Sequence, residues 1–225
     1  MRFSQGRVVE IYSTPGGTQA RIACPARVIP TPGQYLHASS QDAILGTALF
    51  TTGAAQGGFI SAPPIPDYWT PGTALSLWGP LGHGFRLPAN LHRLGLIAAG
   101  GNVARLAPLA ELALAQGTAV TLFIDRSPGQ LSSALEVYPL DEYPSLATWP
   151  DFLALDLPLE NLPRLRLILG LSADGRPPYP GQALVHTSMP CGGVADCGIC
   201  AVELRRRWKL ACKDGPVFDL RDLLA

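Results

Sequence analysis

The hydrophobic rhythm of the chain changes near residue 93. Before that point short alternating runs are broken by Pro and Gly. Arg7-Val8-Val9-Glu10-Ile11-Tyr12 alternates as a strand does, and Ala20-Arg21-Ile22-Ala23-Cys24 is placed to pair with it across Pro15-Gly16-Gly17. Thr31-Pro32-Gly33 is a turn into a strand at Gln34–Ala38, and Leu45–Thr51, Gly58–Ser61 and Ala74–Gly79 are further strands, with Gly53 to Gly57 connecting the middle two. About six short strands at turn-punctuated spacing predict a small antiparallel barrel. Beyond residue 93 the apolar runs are continuous. Leu94–Ala99 and Thr118–Asp125 read as buried parallel strands, and Ala107–Gln116 between them reads as a helix closed by Gly117 with Pro108 in its first turn. That is a βαβ unit, the sign of an open α/β sheet. Gln130–Glu136 is expected to be a short helix. Tyr138–Pro163 is Pro-, Leu- and Asp-rich and yields no pattern, Arg164–Leu169 fits strand or helix, and Ala183–Thr187 is a strand. Asp219–Leu224 is a short amphipathic tail, expected to pack on the C-terminal lobe or on a partner.

Composition narrows the class. With 47% hydrophobic and 15% charged residues, the 225-residue chain has enough apolar content for filled cores. Net charge is zero and no basic stripe stands out, so nucleic acid is not an expected partner. Arg205-Arg206-Arg207 reads as a turn or solvated edge. No apolar run reaches the length of a membrane span, and no apolar segment follows Met1, so a cytoplasmic protein without signal peptide is expected. The low charge suggests that a partner covers part of the surface.

The candidate chemistry lies near the C-terminus. Cys191, Cys197, Cys200 and Cys212 are spaced C-x5-C-x2-C-x11-C, so four of the five cysteines fall within 22 residues. Three thiols on one Gly-bearing loop and a fourth from a separate segment fit a [2Fe-2S] site, in which glycines (Gly192, Gly193, Gly198) let backbone N–H groups turn toward sulfur. A structural zinc site usually shows two C-x2-C pairs, and only one is present. Two disulfides would need an oxidising compartment. Cys24 stands alone among apolar residues and reads as a buried core thiol. His186 precedes Cys191 by five residues, but a mixed His/Cys cluster site needs two Cys-x-His pairs, which are absent. His83 is a loop histidine open to a polar contact, and His37 and His92 have no ligand spacing. No nucleophile elbow and no His-Glu-x-x-His motif occurs, so no catalytic acid, base or nucleophile is assigned.

Three stretches then carry a resemblance: Pro32-Gly33-Gln34-Tyr35-Leu36, Gly79-Pro80-Leu81-Gly82-His83-Gly84-Phe85, and the cysteine loop with Cys212-Lys213-Asp214-Gly215-Pro216-Val217-Phe218. Together they resemble the electron-transfer subunit of two-subunit, NAD-linked dihydroorotate dehydrogenases, in the ferredoxin-reductase superfamily. The resemblance implies a β-barrel plus α/β fold with a small C-terminal [2Fe-2S] domain, at residues 1–90, 91–182 and 183–225. It implies Cys191, Cys197, Cys200 and Cys212 as metal ligands and Gly79, Pro80, Leu81, Gly82, Gly100 and Gly101 as cofactor-binding residues. It further implies FAD in the barrel, NAD at the α/β domain, and docking on an FMN-containing subunit that oxidises dihydroorotate. Electrons would run along substrate, FMN, cluster, FAD and NAD.

The chain departs from that pattern in ways that bear on the cofactors. The family's Arg-Pro-x-Ser strand is replaced by Leu45-Gly46-Thr47-Ala48-Leu49-Phe50-Thr51-Thr52, without the arginine that anchors anionic FAD. The glycine-rich nucleotide loop is replaced by Gly100-Gly101-Asn102-Val103-Ala104-Arg105-Leu106-Ala107-Pro108, which argues against NAD. Arg105 there is expected to be a surface or helix-entry residue. A Cys-Gly-Pro element beside the nicotinamide is absent, and the cluster loop holds five residues between its first two cysteines where four are usual. The expectation is a divergent paralogue that keeps the cluster and its docking surface. The rival reading is a non-catalytic partner or assembly module with a structural four-cysteine metal site.

Overall fold

The computed structural model describes residues 2–41, 43–100, 102–125, 133–204 and 207–224. Seven strands form the first sheet: β1 (Arg2–Thr14), β2 (Gly17–Ala23), β3 (Tyr35–Ser39), β4 (Thr47–Leu49), β5 (Thr51–Ala55), β6 (Gly58–Ser61) and β7 (Ala74–Leu81). Their order is β4-β3-β7-β1-β2-β6-β5, with every pairing antiparallel. β4 and β5 are the two edges, yet only Phe50 separates them in sequence. The sheet must therefore curl until its edges meet, which is what makes it barrel-like. The expected single strand at Leu45–Thr51 is thus two, broken where the chain steps from one edge to the other. The Phe50 carbonyl accepts from the Ala62 N–H at 2.7 Å, and Thr51–Ala55, expected to be partly connector, forms a hairpin with β6. The barrel core is Val8, Ile22, Leu36, Phe59, Trp69, Leu75 and Leu77. Cys24 is only half-buried against it, a correction to its expected place in the core; burial still pushes its thiol up to about 11.

The second sheet contains β8 (Arg93–Ala98), β9 (Ala119–Ile124), β10 (Glu136–Pro139), β11 (Phe152–Pro158), β12 (Gly181–His186) and, after the cysteine segment, a short strand at Val217–Asp219. The order is β10-β9-β8-β11-β12 and then that last strand, which is antiparallel where all others are parallel. α1 (Ala107–Ala115) crosses from β8 to β9 as the apolar pattern predicts, burying Leu109, Ala110 and Ala113. Gly117, at φ +76°, turns the chain out of it. Glu136 begins a strand rather than ending a helix, because its backbone pairs with β9 at Thr121; residues 130–132 of that expected helix lie outside the described residues. The Pro- and Leu-rich stretch holds α2 (Tyr143–Leu146) and β11, which is buried along its whole length between β8 and β12. Arg164–Leu169 resolves to helix, α3 (Leu165–Ile168).

The C-terminal segment adds the hairpin β13 (Ala201–Leu204) and β14 (Arg207–Leu210), then α4 (Ala211–Asp214), the sheet strand β15 (Val217–Asp219) and α5 (Leu220–Leu223). The boundary expected between residues 182 and 183 falls within β12, and β15 returns to the same sheet beside it. One apolar cluster runs through all three segments, joining Tyr35, Phe50 and Leu81 to Ile97, Leu155 and Val185 and on to Cys200, Cys212, Val217 and Phe218. Among the described residues no helix is long and apolar enough to cross a membrane.

Candidate metal centre

The cysteine loop coils because its backbone enters the left-handed region repeatedly. Gly192, Gly193 and Gly198 lie at φ +58°, +85° and +69°, and Ala195 joins them at φ +71°. The coil turns the N–H groups of Gly193 and Ala195 onto the Cys191 sulfur. Three thiol contacts follow, Cys191 with Cys197, Cys191 with Cys212, and Cys212 with Cys200, so all four sulfurs are linked in series. The five-residue spacer between the first two cysteines is therefore compact enough to bring their sulfurs together. Cys200 and Cys212 are buried, Cys191 is half-buried and Cys197 is exposed. Burial raises the Cys191 thiol, but the N–H groups of Ala195 and Gly193 and the neighbouring thiols outweigh it and hold the group below its ordinary value. Cys212 moves the other way, pushed up first by burial and then by Cys200 and Cys191. Among the described residues no group of three or more His, Cys, Asp or Glu closes around a single-ion position. Four thiols with N–H groups aimed at sulfur suit a thiolate-held iron–sulfur cluster.

The barrel clamps this loop through β3. The Tyr35 hydroxyl donates to the Cys212 carbonyl at 2.8 Å, and the His37 ring nitrogen Nε2 lies 3.1 Å from the Pro190 carbonyl. A Cβ at Gly192 would stand 2.8 Å from the His37 ring, so that glycine is required for the loop to rest on it. The Cys212 N–H donates to Cys200 Sγ at 3.4 Å, and the Asp214 carboxylate accepts from the Leu210 N–H and from Lys209 Nζ, each at 2.9 Å, squaring the turn that carries Cys212.

The three stretches singled out in the sequence meet at one seam beside the cysteines. Gln34 Nε2 donates to the Gly82 carbonyl at 3.2 Å, and the Phe85 N–H donates to the Pro32 carbonyl at 2.9 Å. The His83 N–H donates to the Gly215 carbonyl, and its Nδ1 lies 3.1 Å from the Asp214 carbonyl. Gly82 sits at φ +72°, where a Cβ would be 2.6 Å from that Gly215 oxygen. His83 thus contacts the segment that closes the cluster loop.

The residues assigned to cofactor binding have close protein neighbours. Gly79, Pro80 and Leu81 end β7; a Cβ at Gly79 would lie 2.8 Å from Leu36 Cδ1. Gly100 faces the Pro158 ring, 3.1 Å from where its Cβ would be, and Gly101 lies outside the described residues. Arg105 is not on the surface. It is buried and donates from Nε to Asp156 Oδ2 at 2.8 Å and from Nη1 to the Pro63 carbonyl at 2.9 Å. Neither Tyr35 nor His37 had a spacing signal toward the cysteines; only the fold of the barrel places them there.

Residues 186–224 match the family model of the iron–sulfur cluster binding domain of dihydroorotate dehydrogenase B. Solved structures supply the frame around it. A chain of the NADH-dependent reduced ferredoxin-NADP oxidoreductase, studied for flavin-based electron bifurcation, superposes with a TM-score of 0.76 at 18% identity, over 96% of this chain and 88% of that one. The ferredoxin reductase of carbazole 1,9a-dioxygenase gives 0.59 at 16% identity, covering 75% of this chain and 65% of its own. Ferredoxin-NADP+ reductase from Plasmodium falciparum gives 0.54 at 10% identity, over 74% and 88%. The fold is that of the ferredoxin reductases. A segment that matches an iron–sulfur cluster binding domain is thus joined to a reductase-like fold, in agreement with the resemblance read from Pro32–Leu36, Gly79–Phe85 and Cys191–Phe218.

Proposed function

We propose that this chain is an electron-transfer subunit whose [2Fe-2S] cluster, held by Cys191, Cys197, Cys200 and Cys212, exchanges electrons with an FMN-containing dehydrogenase of the dihydroorotate type. The observation that carries the reading is the serial contact of the four thiols inside the segment that matches the dihydroorotate dehydrogenase B domain. When bound, the cluster would supply one-electron chemistry. The protein's part is to hold its thiolates in a fixed frame. Gly193 and Ala195 N–H groups stabilise negative charge on Cys191, Tyr35 and His37 fix the loop to the barrel, and the buried Cys200 and Cys212 keep one side of the centre dry. The opposite side is open at Cys197, and exposed Val194, Ile199 and Trp208 belong to the same C-terminal segment. Exposed apolar side chains near an exposed ligand suit docking of a partner and short-range electron transfer, making a hetero-oligomer the working form. A reducing, cytoplasmic setting suits five free thiols.

FAD in the barrel is a further part of the proposal, supported by the reductase likeness. The stretch from Leu45 to Thr52 offers it no cationic side chain, and Gly79 and Gly82 are packed against the chain itself.

Anaerobic purification tests the reading. Visible bands and an electron paramagnetic resonance signal of a [2Fe-2S] centre after dithionite reduction are expected, with flavin released on boiling. Serine at Cys191, Cys197, Cys200 or Cys212 should remove or alter the cluster signal, while Cys24→Ser should leave it intact. A colourless zinc protein would sink the proposal.

A further inference from the structure

We infer that Arg105 and Asp156 close the dinucleotide crevice of the α/β sheet, so that this chain takes neither NADH nor NADPH at that site. In an open parallel sheet the crevice lies beyond the carboxyl ends of the strands where the strand order reverses. Here the order reverses between β8 and β11, since β9 and β10 lie on one side of β8 and β11 and β12 on the other. The carboxyl ends at that point are Ala98–Gly100 and Asp156–Pro158.

That space is occupied by the chain's own side chains. Arg105 and Asp156 are 6% and 2% exposed and paired at 2.8 Å. The guanidinium also reaches across to the barrel at the Pro63 carbonyl. Asn161 Nδ2 donates to the Ala99 carbonyl at 2.8 Å, and the Pro158 ring covers Gly100. Asn102 Nδ2 donates to the Gly16 carbonyl at 3.2 Å, which ties the loop to the barrel from its other end.

Three of the N–H donors in this turn are engaged within the chain as well. Phosphate binds at a helix start through unpaired N–H groups and close backbone approach. Ahead of α1, the Ala104 N–H donates to Asn102 Oδ1 at 2.9 Å, and the Leu106 and Ala107 N–H groups donate to the Val103 carbonyl at 2.9 and 3.1 Å. Pro108 has no N–H. Val103, Ala104 and Arg105 carry Cβ atoms where a phosphate-binding turn uses glycine. The charge of Arg105 is already neutralised by Asp156, so it offers no free cation to a dinucleotide.

The consequence is that electrons enter and leave this chain through protein partners, not through soluble nicotinamide. That consequence rests on the electron-transfer reading; the closed crevice does not. The test uses the full chain purified anaerobically with its cluster, and NADH and NADPH as probes. Calorimetry with either nucleotide at millimolar concentration should show no saturable binding. Amide hydrogen exchange over 102–107 and 156–161 should be unchanged by them, and visible bands that dithionite bleaches should persist in NADH. Saturable binding at one nucleotide per chain, with increased protection of 102–107, overturns the inference. A sample without iron–sulfur bands removes the electron-transfer reading, and the calorimetry still decides the crevice.

Discussion

Cys212 is held from both sides, its N–H on Cys200 Sγ and its carbonyl under the Tyr35 hydroxyl. Both residues are buried, so water cannot replace the hydroxyl if it is removed. Tyr35→Phe keeps the ring in the core and leaves one carbonyl unsatisfied, which should lower stability by about 1–3 kcal/mol in chemical denaturation and speed cluster loss to a chelator. His186, at the end of β12, shows a second residue-scale effect. Burial and then the Arg105 charge depress its pKa to about 3; the nearest carboxylate oxygen, Asp156 Oδ1, is 3.8 Å away and beyond hydrogen-bond reach. A depressed histidine contributes stability that is complete above the unfolded value of about 6.5 and is lost as pH falls toward 3. At pH 5 the loss should reach up to about 2 kcal/mol. Denaturation midpoints measured from pH 7 to 5 should fall, and His186→Gln should flatten that dependence.

At the scale of elements, β15 links the metal segment to the sheet. It leaves the cysteine turn through Gly215 and Pro216 and pairs with β12 through Gln182–Asp219, Ala183–Phe218 and Leu184–Val217. The Val185 N–H donates to the Pro216 carbonyl at 2.9 Å, so the pairing starts immediately after the cluster turn. Phe218 is the apolar anchor of this strand and belongs to the core that contains Cys200 and Cys212. Phe218→Ala should cost about 3–5 kcal/mol, as for other buried Phe truncations. Thermal melting should show the loss, and the cluster bands should bleach at a lower temperature than in the unaltered protein. No change in bleaching would mean that β15 does not support the centre.

At the scale of the whole molecule, barrel and α/β sheet are joined by a continuous apolar core and by the buried Arg105 side chain. Arg105 spans the joint, between Asp156 on β11 and Pro63 beyond β6. Arg105→Ala would leave the Asp156 carboxylate buried without its partner, and destabilisation of about 3–5 kcal/mol is expected. Pairing Arg105→Met with Asp156→Leu removes both charges and should recover most of that stability. Denaturation followed separately by Trp fluorescence and by backbone signal would check both variants. Recovery in the double variant assigns the loss to the stranded charge, and absence of recovery assigns it to the contact with the barrel.

The sequence alone determined the strand rhythm of the barrel, the β8–α1–β9 unit and the grouping of four thiols, because alternation, helix ends and ligand spacing are properties of neighbouring residues. It did not reveal β11, whose apolar run is interrupted by Asp156 and closed by Pro158. It did not show that Pro32–Leu36, Gly79–Phe85 and Cys212–Phe218 meet, or that Tyr35 and His37 hold the cluster loop. Those contacts join residues far apart in the chain, 48 positions for Gln34 and Gly82 and 177 for Tyr35 and Cys212, and only the curl of the first sheet against the second brings them together. Arg105 changed most. In the sequence it was a cation at a helix entry, with solvent the default neighbour. In the fold it lies where strand order reverses, and burial there requires a partner charge, which Asp156 supplies.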